Sequence, residues 1–140
     1  MTHLSILFAF IIPLFFSPHQ GNMTTTEYLA ASAPEKGDII VYYFHTARRC
    51  ITCVNIEKLA RNTVKEEFGD NNHVVFQSVN IEKKENQALA RKHKVGGSRL
   101  VICKGEKAED LTATAFQFIM RDPGKLQSIL IATIKTMDKA

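Results

Sequence analysis

Tryptophan is absent from this 140-residue chain, and cysteine occurs only three times, at Cys50, Cys53 and Cys103. So few cysteines cannot build a stapled scaffold. Stability must come from a packed core, and a chain of this length, one domain by size, can bury one. Single-sign charge is missing too. The 18 Lys and Arg are interleaved with 14 Asp and Glu, as in "EKKENQALARKHK", so the net charge of +4 reads as a solvated surface. No basic stripe stands out, which argues against nucleic-acid binding. There is no internal repeat, no low-complexity tract, no second C-x-x-C and no H-x₃₋₅-H. No apolar run reaches the roughly 20 residues that cross a bilayer comfortably.

The longest uncharged apolar run, "LSILFAFIIPLFF" at residues 4–16, has the length of a signal-peptide h-region. Its n-region offers only the amino terminus and His3 as positive groups, and no clean small-x-small cleavage site follows. Residues 1–20 are therefore expected to be a signal peptide or, if uncleaved, an N-terminal membrane anchor. A buried N-terminal helix is the alternative reading. No cysteine lies near the run, which excludes a lipoprotein anchor. The expected location is periplasmic or otherwise extracytoplasmic, where disulfides persist. Residues 21–37 are small and polar and read as a linker, which leaves residues 38–140 as the folded domain.

Within that domain, "DIIVYYF" (38–44), "HVVFQSVNI" (73–81) and "RLVIC" (99–103) have the composition of strands buried on both faces. Ile56, Leu59, Ala60, Val64 and Phe68 recur at helical spacing between the first two, and Gly69 ends that run. A shorter helix, "ENQALARKHK", separates the second and third. The alternation predicts an α/β sheet with parallel neighbours. Lys104–Glu106 then read as a hairpin turn into a short return strand at residues 108–111. Phe116, Ile119 and Met120 are spaced for a short helix. Asp122 caps a final helix with Pro123 at its first position, and Leu126, Ile129, Leu130, Ile134 and Met137 form its apolar stripe.

The chemistry concentrates in "FHTARRCITC". Cys50-Ile51-Thr52-Cys53 falls between the first strand and the first long helix. A helix start presents unpaired N–H groups and the positive end of the dipole, and Arg48 and Arg49 stand beside it. All of these favour a thiolate at Cys50, the form that attacks. Cys53, one turn on, is placed to resolve a mixed disulfide. A metal site needs more ligands than two thiols, and only His45 and Cys103 are candidates to join them. His45, Arg48 and Arg49 read either as groups that tune the thiols or as ordinary loop residues. Cys103 reads as a small core hydrophobe. Phe116 and Phe118 read as core.

These residues carry a resemblance. From residue 38 to the end the chain resembles thioredoxin-fold proteins, in "IIVYYF", "CITC", "VNIEKLARNTV", "VVFQSVNIE" and "KHKVGGSRLVICKG". More narrowly, it is similar to a small bacterial group of exported thioredoxin-like proteins, some described as subunits of a nitrophenyl-compound nitroreductase. The shared elements are the "YYFH" and "RC.TC..IEKLA" segments, the "GSRLVI" strand and a tail with Leu111, Thr112, Phe116 and Pro123. The resemblance implies a central mixed sheet of about four strands flanked by helices. It also implies a thiol-disulfide oxidoreductase or electron-transfer function, with Cys50 and Cys53 as a redox-active disulfide and no other cofactor. The implied partner is a redox protein, and the chain is expected to be a monomer. A soft-metal module holding zinc or copper(I) through the cysteines is the alternative. The departures from the family pattern are specific. Arg49 stands where the family has Trp, and Ile51-Thr52 where it has Gly-Pro. The family's buried acid falls near Tyr43, and its cis-proline falls at Ser98 or Arg99. Arg49, His45, Ser98 and Arg99 are thus the expected modulators, and the missing proline implies a narrower partner range.

Overall fold

Unbroken apolar and aromatic character from Ile39 to His45 produces β1, in which six of the seven residues are buried. A strand covered on both faces has no reason to alternate with polar side chains. The structure, a computed structural model, describes residues 38–140. The expected signal peptide or anchor at 1–20 and the linker at 21–37 lie outside the described residues.

β1 is followed by α1 (Ile51–Phe68), β2 (Val74–Asn80), a 3-10 turn (Lys84–Asn86), α2 (Gln87–Lys92), β3 (Arg99–Lys104), β4 (Lys107–Asp110), α3 (Thr112–Phe118) and α4 (Pro123–Asp138). The fold class is α/β. A mixed sheet of order β2-β1-β3-β4 is flanked by helices, the arrangement the resemblance implied. β1 runs parallel to β2 and antiparallel to β3, and β3 runs antiparallel to β4.

The orientation of β3 corrects the parallel pairing that strand-helix alternation predicts. A parallel return needs a crossover long enough to carry the chain back along the strand. The six residues of α2 advance about 9 Å, against about 23 Å for the seven residues of β1. The connection therefore turns the chain round at the edge where β2 ends. Asn80, the last residue of β2, lies opposite His45, and Arg99, the first of β3, lies opposite Phe44. The loop leaving β1 and the loop entering β3 meet at one end of the sheet.

The two faces are covered unequally. Val41, Tyr43, Leu100 and Ile102 point into the larger cluster, with Ile56, Ala60 and Val64 of α1, Ala115 of α3, and Leu126, Leu130 and Ile134 of α4. Tyr42, Phe44, Val79, Val101 and Cys103 form the smaller one, closed by Leu89 and Val95 around α2. Gly69 ends α1 for a steric reason: a Cβ there would lie 2.3 Å from the Lys65 carbonyl oxygen. Gly105, with φ of 59°, makes the two-residue β3–β4 turn, as a tight hairpin requires. Asp122 accepts from the Lys125 amide at 2.9 Å and caps α4, and Lys104 Nζ donates to the carbonyls of Met137 and Asp138 at its far end. Among the described residues, no helix is long and apolar enough to cross a membrane.

Candidate dithiol site

Cys50 is the N-cap of α1. Its backbone is extended, with φ of −78° and ψ of 165°, and its Sγ accepts from the Cys53 amide at 3.4 Å. The thiol thus does for the helix what a serine or aspartate oxygen usually does, satisfying one of the orphan N–H groups of the first turn. Cys50 is exposed, whereas Cys53 is buried on the face of α1 that meets the sheet. Both are free thiols, and their Sγ atoms stand 2.9 Å apart.

The loop between β1 and α1 is fastened at several points. Thr46 Oγ1 donates to the Arg48 carbonyl at 2.8 Å, and the Ala47 amide donates to Glu82 Oε2 at 2.9 Å. His45 is buried. Its Nδ1 faces the Thr46 carbonyl at 2.8 Å and its Nε2 faces Ser78 Oγ at 3.1 Å. Because a carbonyl only accepts, Nδ1 carries a hydrogen. His45 therefore braces the base of the loop.

Of the two residues expected opposite the pair, the structure brings one. Ser98 Oγ donates to Cys53 Sγ at 3.5 Å. Arg99 is turned to the other face of the sheet. Its guanidinium donates to Asp110 at 2.8 Å through Nε, and to the carbonyls of His93 and Lys94 at the end of α2. Strand alternation separates them: Ser98 precedes Leu100 and Ile102 of the larger cluster by even steps, and Arg99 precedes Val101 and Cys103 of the smaller one. Arg49 pairs with Glu57, which also holds Arg61 at 2.6 Å. Cys103 lies on the far face, 3.9 Å from His93 Nδ1, away from the pair. Phe116, read as core, is exposed, while Phe118 packs partly buried against the larger cluster. Among the described residues, no three His, Cys, Asp or Glu side chains come together to hold a metal.

Two residues at the site carried no functional reading in the sequence. Glu57 sits four positions after Cys53 and so shares its buried stripe, a relation the helical period makes visible. Burial pushes its carboxyl up, but the Ser78 hydroxyl, Arg61 and Arg49 outweigh that and hold it below the usual carboxylate range. Tyr43, at the position noted for lacking a carboxylate, is fully buried, and its hydroxyl makes no hydrogen bond. Burial drives its phenol far above the ordinary value, with Cys53 adding to the shift. Around Cys53 the balance is reversed. Burial pushes the thiol up, yet hydrogen bonding from Cys50, from Ser98 and from the Cys50 backbone, with a smaller contribution from the nearby Tyr43 hydroxyl, brings it below the ordinary thiol value.

Beside the exposed sulfur lies an apolar surface. Ile51 is 68% exposed and Val54 41%, one helical turn apart on α1. Met120, 62% exposed, meets α1 through Asn55, whose amide approaches its sulfur at 3.7 Å.

No family model matches the chain, and no curated protein does. Among solved structures it is similar to a malarial protein, at 18% identity and a TM-score of 0.40, over 60% of this chain and 94% of that one. It is also similar to a thioredoxin from Thermus thermophilus, at 23% identity and a TM-score of 0.40, over 69% of this chain and 73% of that one. The fold class stands on the order and orientation of the strands themselves.

Proposed function

We propose that the chain is a thiol-disulfide oxidoreductase or electron-transfer protein in which Cys50 exchanges with a partner and Cys53 resolves. The observation that carries this reading is the asymmetry of the pair: an exposed sulfur at a helix start, in contact with a buried one whose thiolate is favoured. Only the exposed sulfur is open to an incoming disulfide. Cys50 thiolate attacks a partner sulfur, forms the mixed disulfide and releases one partner thiolate. Cys53 thiolate then attacks Cys50, closes the intramolecular disulfide and releases the second. The same steps run backwards when the oxidised pair accepts electrons, and the reduction potential sets the direction.

The exposed apolar side chains of Ile51, Val54 and Met120 favour a protein partner over a small thiol. Export rests on the apolar run at residues 4–16. A partner that reduces nitro compounds rests on the sequence resemblance alone.

Trapping tests the roles. Cys53→Ser should accumulate a mixed disulfide with the partner, and Cys50→Ser should not. The captured protein then shows whether a nitro-compound reductase is the partner. Trapping by Cys50→Ser alone would reverse the assignment. A reduction potential well below the range of about −270 to −120 mV spanned by exchange-active pairs would make the disulfide structural.

A further inference from the structure

Two departures from the thioredoxin pattern, separated by 55 residues in the sequence, meet at one sulfur. Tyr43 stands near where the family places a buried acid, and Ser98 where its proline faces the pair. Tyr43 pairs with Leu100 across β1 and β3, and Ser98, just before β3 begins, lies two residues from Leu100 and so on the same face. Ser98 Oγ already donates to Cys53 Sγ at 3.5 Å. Tyr43 is wholly enclosed, and its hydroxyl closes no hydrogen bond. A buried donor without an acceptor is rare in native proteins and calls for a physical reason. The reason available here is Cys53, which shares the buried cluster of Tyr43 and takes the Ser98 hydroxyl from the same side. A thiol is a weak acceptor, whereas a thiolate is a strong one.

We propose that Tyr43 and Ser98 form a hydroxyl pair that receives the Cys53 thiolate during resolution, in place of a buried carboxylate. The inference rests on the redox reading of Cys50 and Cys53. In the resolving step the Cys53 thiolate attacks Cys50 Sγ, and the bond from Cys50 to the partner sulfur breaks as the intramolecular bond forms. The partner leaves with the bonding electrons and takes up a proton, which balances the one Cys53 lost to solvent on ionising. A carboxylate would accept that first proton. Hydroxyls instead stabilise the anion that remains, and neither hydroxyl has to ionise. Tyr43 suits this work because burial keeps its phenol protonated. The other ionisable groups around Cys53 are Cys50 at the helix start, Glu57 one turn along α1 and His45 further along β1. Glu57 is occupied by Arg49 and Arg61, and His45 by Thr46 and Ser78.

The test is a thiolate titration in the full chain carrying Cys50→Ser and Cys103→Ala, where Cys53 is the one thiol left, followed by ultraviolet absorbance against pH. Adding Tyr43→Phe should lower the thiolate fraction on the rising limb roughly tenfold, one pK unit, since each removed donor had favoured the charged form. Ser98→Ala should act in the same direction, and Ser98→Thr should restore the parent curve. Curves for Tyr43→Phe and Ser98→Ala that superimpose on the parent would overturn the proposal. Tyr43→Phe removes a single oxygen that has no partner, and Ser98→Ala gives an independent reading if packing suffers. The titration needs no turnover, so it separates the two ideas. Shifted curves in a chain that traps no partner would sink the redox reading and keep the hydroxyl pair. Unshifted curves in a chain that traps one would do the reverse.

Discussion

Glu57 ties the loop before Cys50 to the body of α1, since Arg49 reaches back across the helix start to meet it and Arg61 holds it from the next turn. Its carboxyl is held below the ordinary value of 4.5, so the unfolded chain takes up a proton there more readily than the folded one. The stability this group supplies is full above about pH 4.5 and is lost as pH falls through the depressed folded value. Glu57→Gln should cost about 1–2 kcal/mol at neutral pH, the scale of hydrogen bonds to a charged group discounted for two partly exposed arginines. Urea unfolding of both forms should show the gap closing in acid. A gap that persists unchanged at low pH would place the effect in packing instead. Arg49 was legible in the sequence as a charge beside Cys50. Its partner was not, because a lone glutamate in a helix gives no sign of what will close over it from the preceding loop. Ser98 and Arg99 were distinguishable in principle by the period of two along β3. The resemblance places the family's proline only to within this pair, and one residue reverses the face.

At the level of elements, most boundaries could be read directly. Asp122-Pro123 marks the start of α4 and Gly105 the β3–β4 turn, and the short helix expected around Phe116 is present as α3, although Ile119 and Met120 fall just past its end. The direction of β3 could not be read from alternation, because it depends on whether α2 is long enough to bring the chain back, and "ENQALARKHK" looks longer than the helix it makes. Its shortness has a visible cause. Lys94 adopts a left-handed backbone with φ of 51°, the Val95 amide returns to the Ala90 carbonyl, and Arg99 takes the carbonyls of His93 and Lys94. Arg99 therefore serves as a C-terminal cap for α2 and a tie to Asp110 on β4. Arg99→Ala should lower stability by about 1 kcal/mol and leave the Cys53 titration where it was. A displaced titration with unchanged stability would return Arg99 to the vicinity of the thiols.

Across the whole molecule, β1 is the strand on which everything else is hung. It has a ladder on each side, parallel to β2 and antiparallel to β3, and packing above and below. β4 is four residues long and exposed throughout. Local opening is cheapest where few buried contacts must break, and dearest where opening dismantles the sheet. Backbone amides of β1, including that of Tyr43, should exchange with solvent only as slowly as global unfolding allows, while those of β4 exchange through fraying. Amide exchange followed by NMR would read both, and equal rates in the two strands would contradict this ranking. The central place of β1 also sets what a change of oxidation state can move. Tyr43 is fixed to the least yielding part of the molecule, and Cys53 to the start of a helix that packs on it. Passing from dithiol to disulfide should then leave β1 exchange untouched and confine its trace to residues 46–54. A partner would sense the redox state as a local change in the rim around Cys50, with the framework behind it acting as a fixed reference.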